Sequence, residues 1–151
     1  MPATTRRPSA SRPAKRAALR QFDFPELGQD VQRLVGTLRE GLPADRVTLL
    51  SESLDVPFAE VLGWLAIPPA TMARRTTSGR LDRDESARTY RLARLIARAS
   101  EVFGSLQAGR EWLTSPQYAL GGPTPLAFAD TEPGAREVEH LLGRIEHGIP
   151  V

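Results

Sequence analysis

Apolar positions recur along this chain with a helical period and nowhere alternate convincingly as a strand would. Val31, Leu34, Val35 and Leu38 fall at i, i+3, i+4 and i+7, which places them on one face of a helix opening near Asp30. Gly41, Leu42 and Pro43 end it. A second helix is expected from about Ala44 to Leu54, with Val47, Leu50 and Leu54 turned inward. Asp55, Val56 and Pro57 interrupt the pattern, and Pro57 suits the first turn of a third, short helix through Phe58, Val61, Leu62 and Leu65. Ile67, Pro68 and Pro69 make a tight connection. A fourth helix then runs through Thr71, Met72, Arg74 and Arg75 to a natural stop at Gly79.

The next helix is longer. Asp82 and Glu85 have the spacing of a capping box, in which each side chain accepts from the other residue's backbone N–H. Leu92, Leu95, Ile96, Ala99 and Phe103 form its apolar stripe as far as Gly104, with Arg91, Arg94 and Arg98 expected on the far side and Arg88 nearer the apolar edge. Short helices follow over Leu106 to Leu113 and after Thr124-Pro125. The last helix opens at Thr131 and reaches His147, with Val138, Leu141, Leu142 and Ile145 inward. The expected fold class is all-α, with a helix-turn-helix lobe followed by a small helical lobe.

Charge changes the picture more than composition does. The net charge of +2 is uninformative, but its distribution is not. Residues 1–20 carry six basic and no acidic side chains, residues 21–68 are net −5, residues 69–98 net +5 and residues 99–151 net −4. A local basic segment of this kind is the footprint of a polyanion site. The Arg-, Ala-, Ser- and Pro-rich start reads as a basic arm that is either a solubilising tail or a phosphate-tracking element.

With no cysteine, disulfides, thiolate metal sites and cysteine nucleophiles are excluded. His140 and His147 stand seven apart, too far to chelate a metal from one helix. No nucleophile–base pair, HExxH or paired-carboxylate signature is apparent, so no catalytic or metal-binding residues are expected. Neither a secretory leader nor an apolar run of membrane-spanning length is visible, and a cytoplasmic protein is expected.

Pro57 to Gly79 has the layout of a helix-turn-helix: PFAEVLGWL, the turn AIP, then PATMARRTTSG. Small Ala59 and Gly63 would allow close helix approach, and Leu62 and Ile67 would fill the wedge. Thr71, Arg74 and Arg75 are expected on the accessible face of the second helix, where an arginine can grip guanine O6 and N7 together. Thr76, Thr77 and Ser78 would donate to phosphates, with Arg80 and Arg83 anchoring the backbone just beyond. A solvated basic face of an ordinary helical domain is the bland alternative.

From about Val47, and most clearly from Met72 to Gly148, the chain resembles the antitoxins of the Xre/MbcA/ParS family. The stretches that carry the resemblance are MARRTTSGRLDRDESARTYRLARLIARASEVFG and AGREWLTSPQYALGGPTPLAFADTEPGAREVEHLLGRIEHG. Within them ARR, GRL, the ES-x-R group, A-x-x-WL-x-x-P, LGG, TPL and GRIEHG occur in the family's order. Departures fall at Ala87, where a second acidic or polar residue is usual, and at Ala127 and Phe128, where a bulky residue and a leucine are usual.

The resemblance implies a bipartite protein that represses its own operon and neutralises an NAD-consuming toxin with a RES domain by covering the toxin's active site. The antitoxin itself would hold no cofactor and would not be an enzyme. Its partners would be the cognate RES-domain toxin, operator DNA and a second copy of itself, with recognition helices about 34 Å apart and the C-terminal half supplying much of the dimer contact. On this basis residues 1–25 are the arm, 26–82 the Xre-like helix-turn-helix domain, 83–104 a connecting helix and 105–151 the toxin-binding domain. Arg136, Glu139, Arg144, Glu146, His147, Ile149 and Val151 are the candidate toxin-binding residues, with Glu146 or the terminal carboxylate meeting basic groups of the toxin pocket and the apolar tip plugging it. Trp112, four residues after Ala108, is expected to anchor the module's own core, and Gly121-Gly122 is read as a structural turn. A stand-alone helix-turn-helix regulator with a C-terminal dimerisation half, and a small enzyme or ligand-binding helical domain, remain as the other readings.

Overall fold

The computed structural model describes residues 22–151. Residues 1–21 of the expected arm lie outside the described residues. The arm does not extend to residue 25 as expected: Phe24 is buried, and Pro25–Gly28 forms a turn of 3-10 helix. Eight α-helices and no strand occur among the described residues: α1 (Val31–Glu40), α2 (Asp45–Leu54), α3 (Phe58–Leu65), α4 (Pro69–Ser78), α5 (Arg83–Phe103), α6 (Leu106–Leu113), α7 (Pro125–Phe128) and α8 (Glu132–Glu146). The fold is all-α, as the periodicity indicates. No helix among the described residues is long and apolar enough to cross a membrane.

Two compact units are present, and they part inside α5, between Arg94 and Leu95. In the first, over 23–94, Leu42, Val47, Leu50, Leu54, Val61, Leu62, Leu65, Ile67, Met72 and Leu81 are buried, and α2 packs on α3. Burying each such side chain contributes roughly 1.5–3 kcal/mol relative to leaving it exposed. The turn after α1 runs beside the exit of α4. Leu81 N donates to Leu42 O, Ala44 N donates to Gly79 O, and Pro43 and Arg80 form an isolated antiparallel bridge. Buried Ser86 completes this junction by accepting the Leu42 N–H at 2.8 Å. Gly41 is required there: its φ is +101°, and a Cβ would lie 2.1 Å from Leu81 O.

Helix α1 forms where expected, capped by Asp30, but among the described residues its apolar face is only partly covered. Val31 is 75% exposed and Val35 39%, and Leu34 and Leu38 are half-buried. Periodicity reports which residues share a face; it does not report what covers that face.

In the second unit, Leu95, Ile96, Ala99, Val102, Leu113, Leu126, Val138, Leu141 and Leu142 are buried. Each later helix has a hydroxyl cap satisfying an orphan N–H of the first turn. Ser105 caps α6, Thr124 caps α7 and Thr131 caps α8. Gly109 of α6 lies so close to α5 that a Cβ would stand 2.7 Å from Ser100 N.

Candidate functional site

The helix-turn-helix is built by a C-terminal signal and a proline start in immediate succession. Helix α3 ends at Ala66, whose backbone is left-handed at φ +53° and whose N–H, with that of Ile67, closes onto the Gly63 and Leu62 carbonyls. Pro68 then holds extended backbone, and Pro69 opens α4 without losing a helical hydrogen bond. Leu62 and Ile67 are buried in the wedge. Gly63 does not mediate close packing as expected: it is exposed, and nothing lies within 4 Å of a Cβ placed there, and Ala59 is exposed as well.

Helix α4 buries Met72 and turns Ala70, Ala73, Arg74 and Thr77 outward. Arg74 is exposed and makes one local contact, Nη2 donating to Thr71 Oγ1 at 3.3 Å. Thr71 is half-buried at the edge of this face. Arg83 is exposed at the start of α5, and Arg80 is exposed with Nη1 donating to Gly41 O at 3.0 Å. From Pro69 to Leu81 there are three arginines and no acidic residue.

Two expectations for this face change. Thr76, Thr77 and Ser78 do not hold hydroxyl protons ready for phosphates. Thr76 Oγ1 donates to Met72 O, Thr77 Oγ1 to Ala73 O, and Ser78 Oγ to Arg75 O and Arg80 O. Back-bonding of this kind is the usual fate of a hydroxyl inside a helix. Arg75, four residues before Gly79, is not on the free face either.

Arg75 is half-buried against the start of α5. Its Nε donates to Glu85 Oε1 at 2.7 Å, and its Nη2 lies 3.2 Å from Asp82 Oδ2. Glu85 is itself buried and closes the expected capping box, accepting Asp82 N–H at 2.8 Å while Asp82 accepts Glu85 N–H at 2.7 Å. The Glu85 hydrogen bond holds the Arg75 guanidinium above the ordinary arginine pKa against the pull of desolvation. Arg88 likewise serves the fold, donating from Nε to Leu65 O at 2.7 Å.

In the second unit the candidate residues separate into paired and presented groups. Glu146 is only 11% exposed at its side chain and accepts a short hydrogen bond from Arg98 Nη2, with Glu101 3.5 Å from Arg98 Nη1. Burial opposes the Arg98 charge, and the hydrogen bond and charge of Glu146 more than restore it, so Arg98 titrates above the usual arginine value. Glu146 is therefore not a free carboxylate, and Arg98 is not on a solvated far side. Arg136 pairs with Glu132 on the surface at 2.6 Å. Arg144 Nη2 lies 3.7 Å from Glu137 Oε1, and its Nε is a buried donor without a hydrogen-bond partner among the described residues. Glu139 is half-buried. His147 is exposed, as are Ile149 (52%) and Val151 (66%).

Sequence reasoning missed an aromatic feature of this unit. Trp112 stacks on Phe103 at 5.5 Å between ring centroids, but both rings are half-buried and line a cleft of about 280 Å³ with Glu111, Ser115 and Gln117. Tyr118, in the turn that follows, is 99% exposed. The run W-L-x-x-P-x-Y ahead of a Gly-Gly turn was its available signal. The first unit holds a second missed feature, Glu26 buried beneath Arg46, which donates to it from Nε and Nη2 at 2.9 and 3.0 Å.

An outward arginine-bearing second helix in one unit, and an all-helical second unit with apolar and aromatic groups presented, define a helix-turn-helix protein with an appended protein-binding module. Comparison with known proteins gives this class a family. Residues 33–94 match the antitoxin Xre-like helix-turn-helix domain, and residues 98–148 match the antitoxin Xre/MbcA/ParS C-terminal toxin-binding domain. The chain is 34% identical over 137 residues to antitoxin Xre of Yersinia enterocolitica, covering 89% of this chain and 90% of that protein. It is 35% identical over 114 residues to antitoxin Xre of Photorhabdus laumondii, covering 74% and 77%. It is 24% identical over 124 residues to a protein of Sphingobium sp. named Prs ADP-ribosylating antitoxin, covering 76% and 78%. The chain belongs to the Xre/MbcA/ParS family of antitoxins, with a DNA-binding domain followed by a toxin-binding domain.

Proposed function

We propose that this antitoxin neutralises a RES-domain toxin that consumes NAD, covering the toxin's active site with residues 105–151, and represses its own operon as a cytoplasmic homodimer through the helix-turn-helix of residues 26–82. The observation that carries the reading is the division of labour along the chain. The helix-turn-helix match lies wholly in one compact unit and the toxin-binding match wholly in the other.

For DNA, Arg74 is the base-reading residue. Thr71 contacts it, exposed Arg80 and Arg83 follow it along the chain, and Arg75 holds the helix in place. For the toxin, exposed Ile149 and Val151 form an apolar tip, with Arg136, Glu139 and Arg144 on the helix behind it and His147 at its C-cap. An NAD-consuming partner is supported by the family resemblance and by the Sphingobium relative, whose name couples an antitoxin with ADP-ribosylation, a transfer for which NAD is the donor. A second copy is supported by the exposed apolar groups of α1, Val31 and Val35.

The test is co-expression with the product of the neighbouring gene, scoring growth, cellular NAD and co-purification. Rescue of growth and NAD with a stable complex is the expected outcome. A harmless neighbour that forms no complex would leave a plain DNA-binding regulator instead.

A further inference from the structure

The outward face of α4 has a chemical character that the arginines obscure. At about 3.6 residues per turn, Ala70, Ala73 and Thr77 fall in one row opposite buried Met72, and Arg74 stands beside that row. All four are exposed. Ala73, Arg74, Thr77 and Ser78 line a shallow groove of about 410 Å³. The Thr77 hydroxyl is turned back onto Ala73 O at 3.2 Å, which leaves the γ-methyl as the group Thr77 presents outward. The row is thus three methyl groups, with no hydroxyl proton ready for a base edge and a guanidinium alongside.

In the major groove, thymine is the base marked by an apolar group, its 5-methyl, whereas guanine offers the acceptor pair that suits arginine. We propose that Ala70, Ala73 and Thr77 determine sequence specificity by packing against thymine methyl groups next to a guanine held by Arg74. This rests on the DNA-binding reading of α4 and adds to it which bases are read and by what force. The charge around the row suits a duplex: Arg74, Arg80 and Arg83 are exposed, and the segment from Pro69 to Leu81 holds no acidic side chain.

The experiment uses the full chain. Duplexes enriched by it from a random pool are resynthesised with deoxyuridine at every thymine, which removes the 5-methyl and leaves every hydrogen-bonding group in place. Loss of one methyl-sized apolar contact corresponds to about a fourfold weakening. The wild-type chain should therefore bind the uracil duplex at least about fourfold more weakly than the thymine duplex. Thr77→Ser removes the protein's methyl and keeps the hydroxyl on Ala73 O. It should weaken binding to the thymine duplex and narrow the thymine-to-uracil ratio, and Ala73→Ser should do the same from the neighbouring turn. Equal wild-type affinity for the two duplexes would overturn the proposal, as would a ratio unchanged in both variants. Failure to enrich any duplex would instead overturn the DNA-binding reading beneath it, a distinguishable result.

Discussion

Arg75 Nε lies 2.7 Å from Glu85 Oε1, the same oxygen that accepts the Asp82 N–H at 2.8 Å. One carboxylate thereby caps α5 and holds α4 in place. Helix α4 is pinned at its last turn by a side chain from the next helix, while Arg74, the residue before Arg75, is exposed. Adjacent arginines on a helix stand about 100° apart, enough to give them different surroundings.

Arg74→Ala and Arg75→Ala should therefore fail differently. Arg74→Ala should reduce sequence-specific DNA affinity by about 1–3 kcal/mol, the worth of one bidentate guanine contact, with the thermal midpoint unchanged. Arg75→Ala should lower the midpoint and DNA affinity together. Melting curves read beside DNA titrations separate the two, and an unshifted midpoint in Arg75→Ala would assign it to base reading after all.

Ser86 is fully buried, and its hydroxyl oxygen is the acceptor for the Leu42 N–H. Ser86→Ala would strand that buried donor, at a cost of about 1–3 kcal/mol. Chemical denaturation of the variant should show the loss. Stability within a few tenths of a kcal/mol of wild type would mean that the turn after α1 relaxes to find another acceptor.

The features legible in the sequence were those written in local spacing. The Asp82–Glu85 box, the stop at Gly79, the proline start of α4 and the hydroxyl caps at Thr124 and Thr131 each depend on residues within four positions of one another. What stayed hidden was set by partners far away along the chain. Glu26 meets Arg46 across 20 positions, and Arg98 meets Glu146 across 48. A charged residue reads as solvated until the fold brings its counter-ion to it, and so Glu146 looked like a free carboxylate and Arg98 like a solvent-facing charge. Arg75 was misplaced for a related reason: its partner sits beyond a glycine turn whose direction periodicity does not encode.

Gly109 packs against the α5 backbone at Ser100. Gly109→Ala would improve local helix propensity, yet overpacking should dominate and destabilise the second unit by about 1–3 kcal/mol. Gly143, in α8 with open space around it, is the control: Gly143→Ala should stabilise by about 1 kcal/mol or less. Thermal melts of the two variants should move in opposite directions.

Ala66 holds a left-handed backbone at φ +53° without being glycine, and its side chain is exposed. Relief of that conformation in Ala66→Gly should outweigh the added chain entropy and raise stability by about 0.5–1 kcal/mol, with DNA affinity unchanged. A lowered melting midpoint would show that the Ala66 methyl contributes contacts that outweigh its backbone strain.

The end of α8 has a consequence for how its tail meets a partner. Gly148, at φ +67°, bonds back to Ile145 O, and Ile149 N–H donates to Arg144 O. The helix terminus thus holds the Ile149 backbone before any partner arrives. Fixing one residue's backbone costs roughly 1–2 kcal/mol of conformational entropy. A partner that receives Ile149 meets a preorganised backbone and forgoes most of that cost.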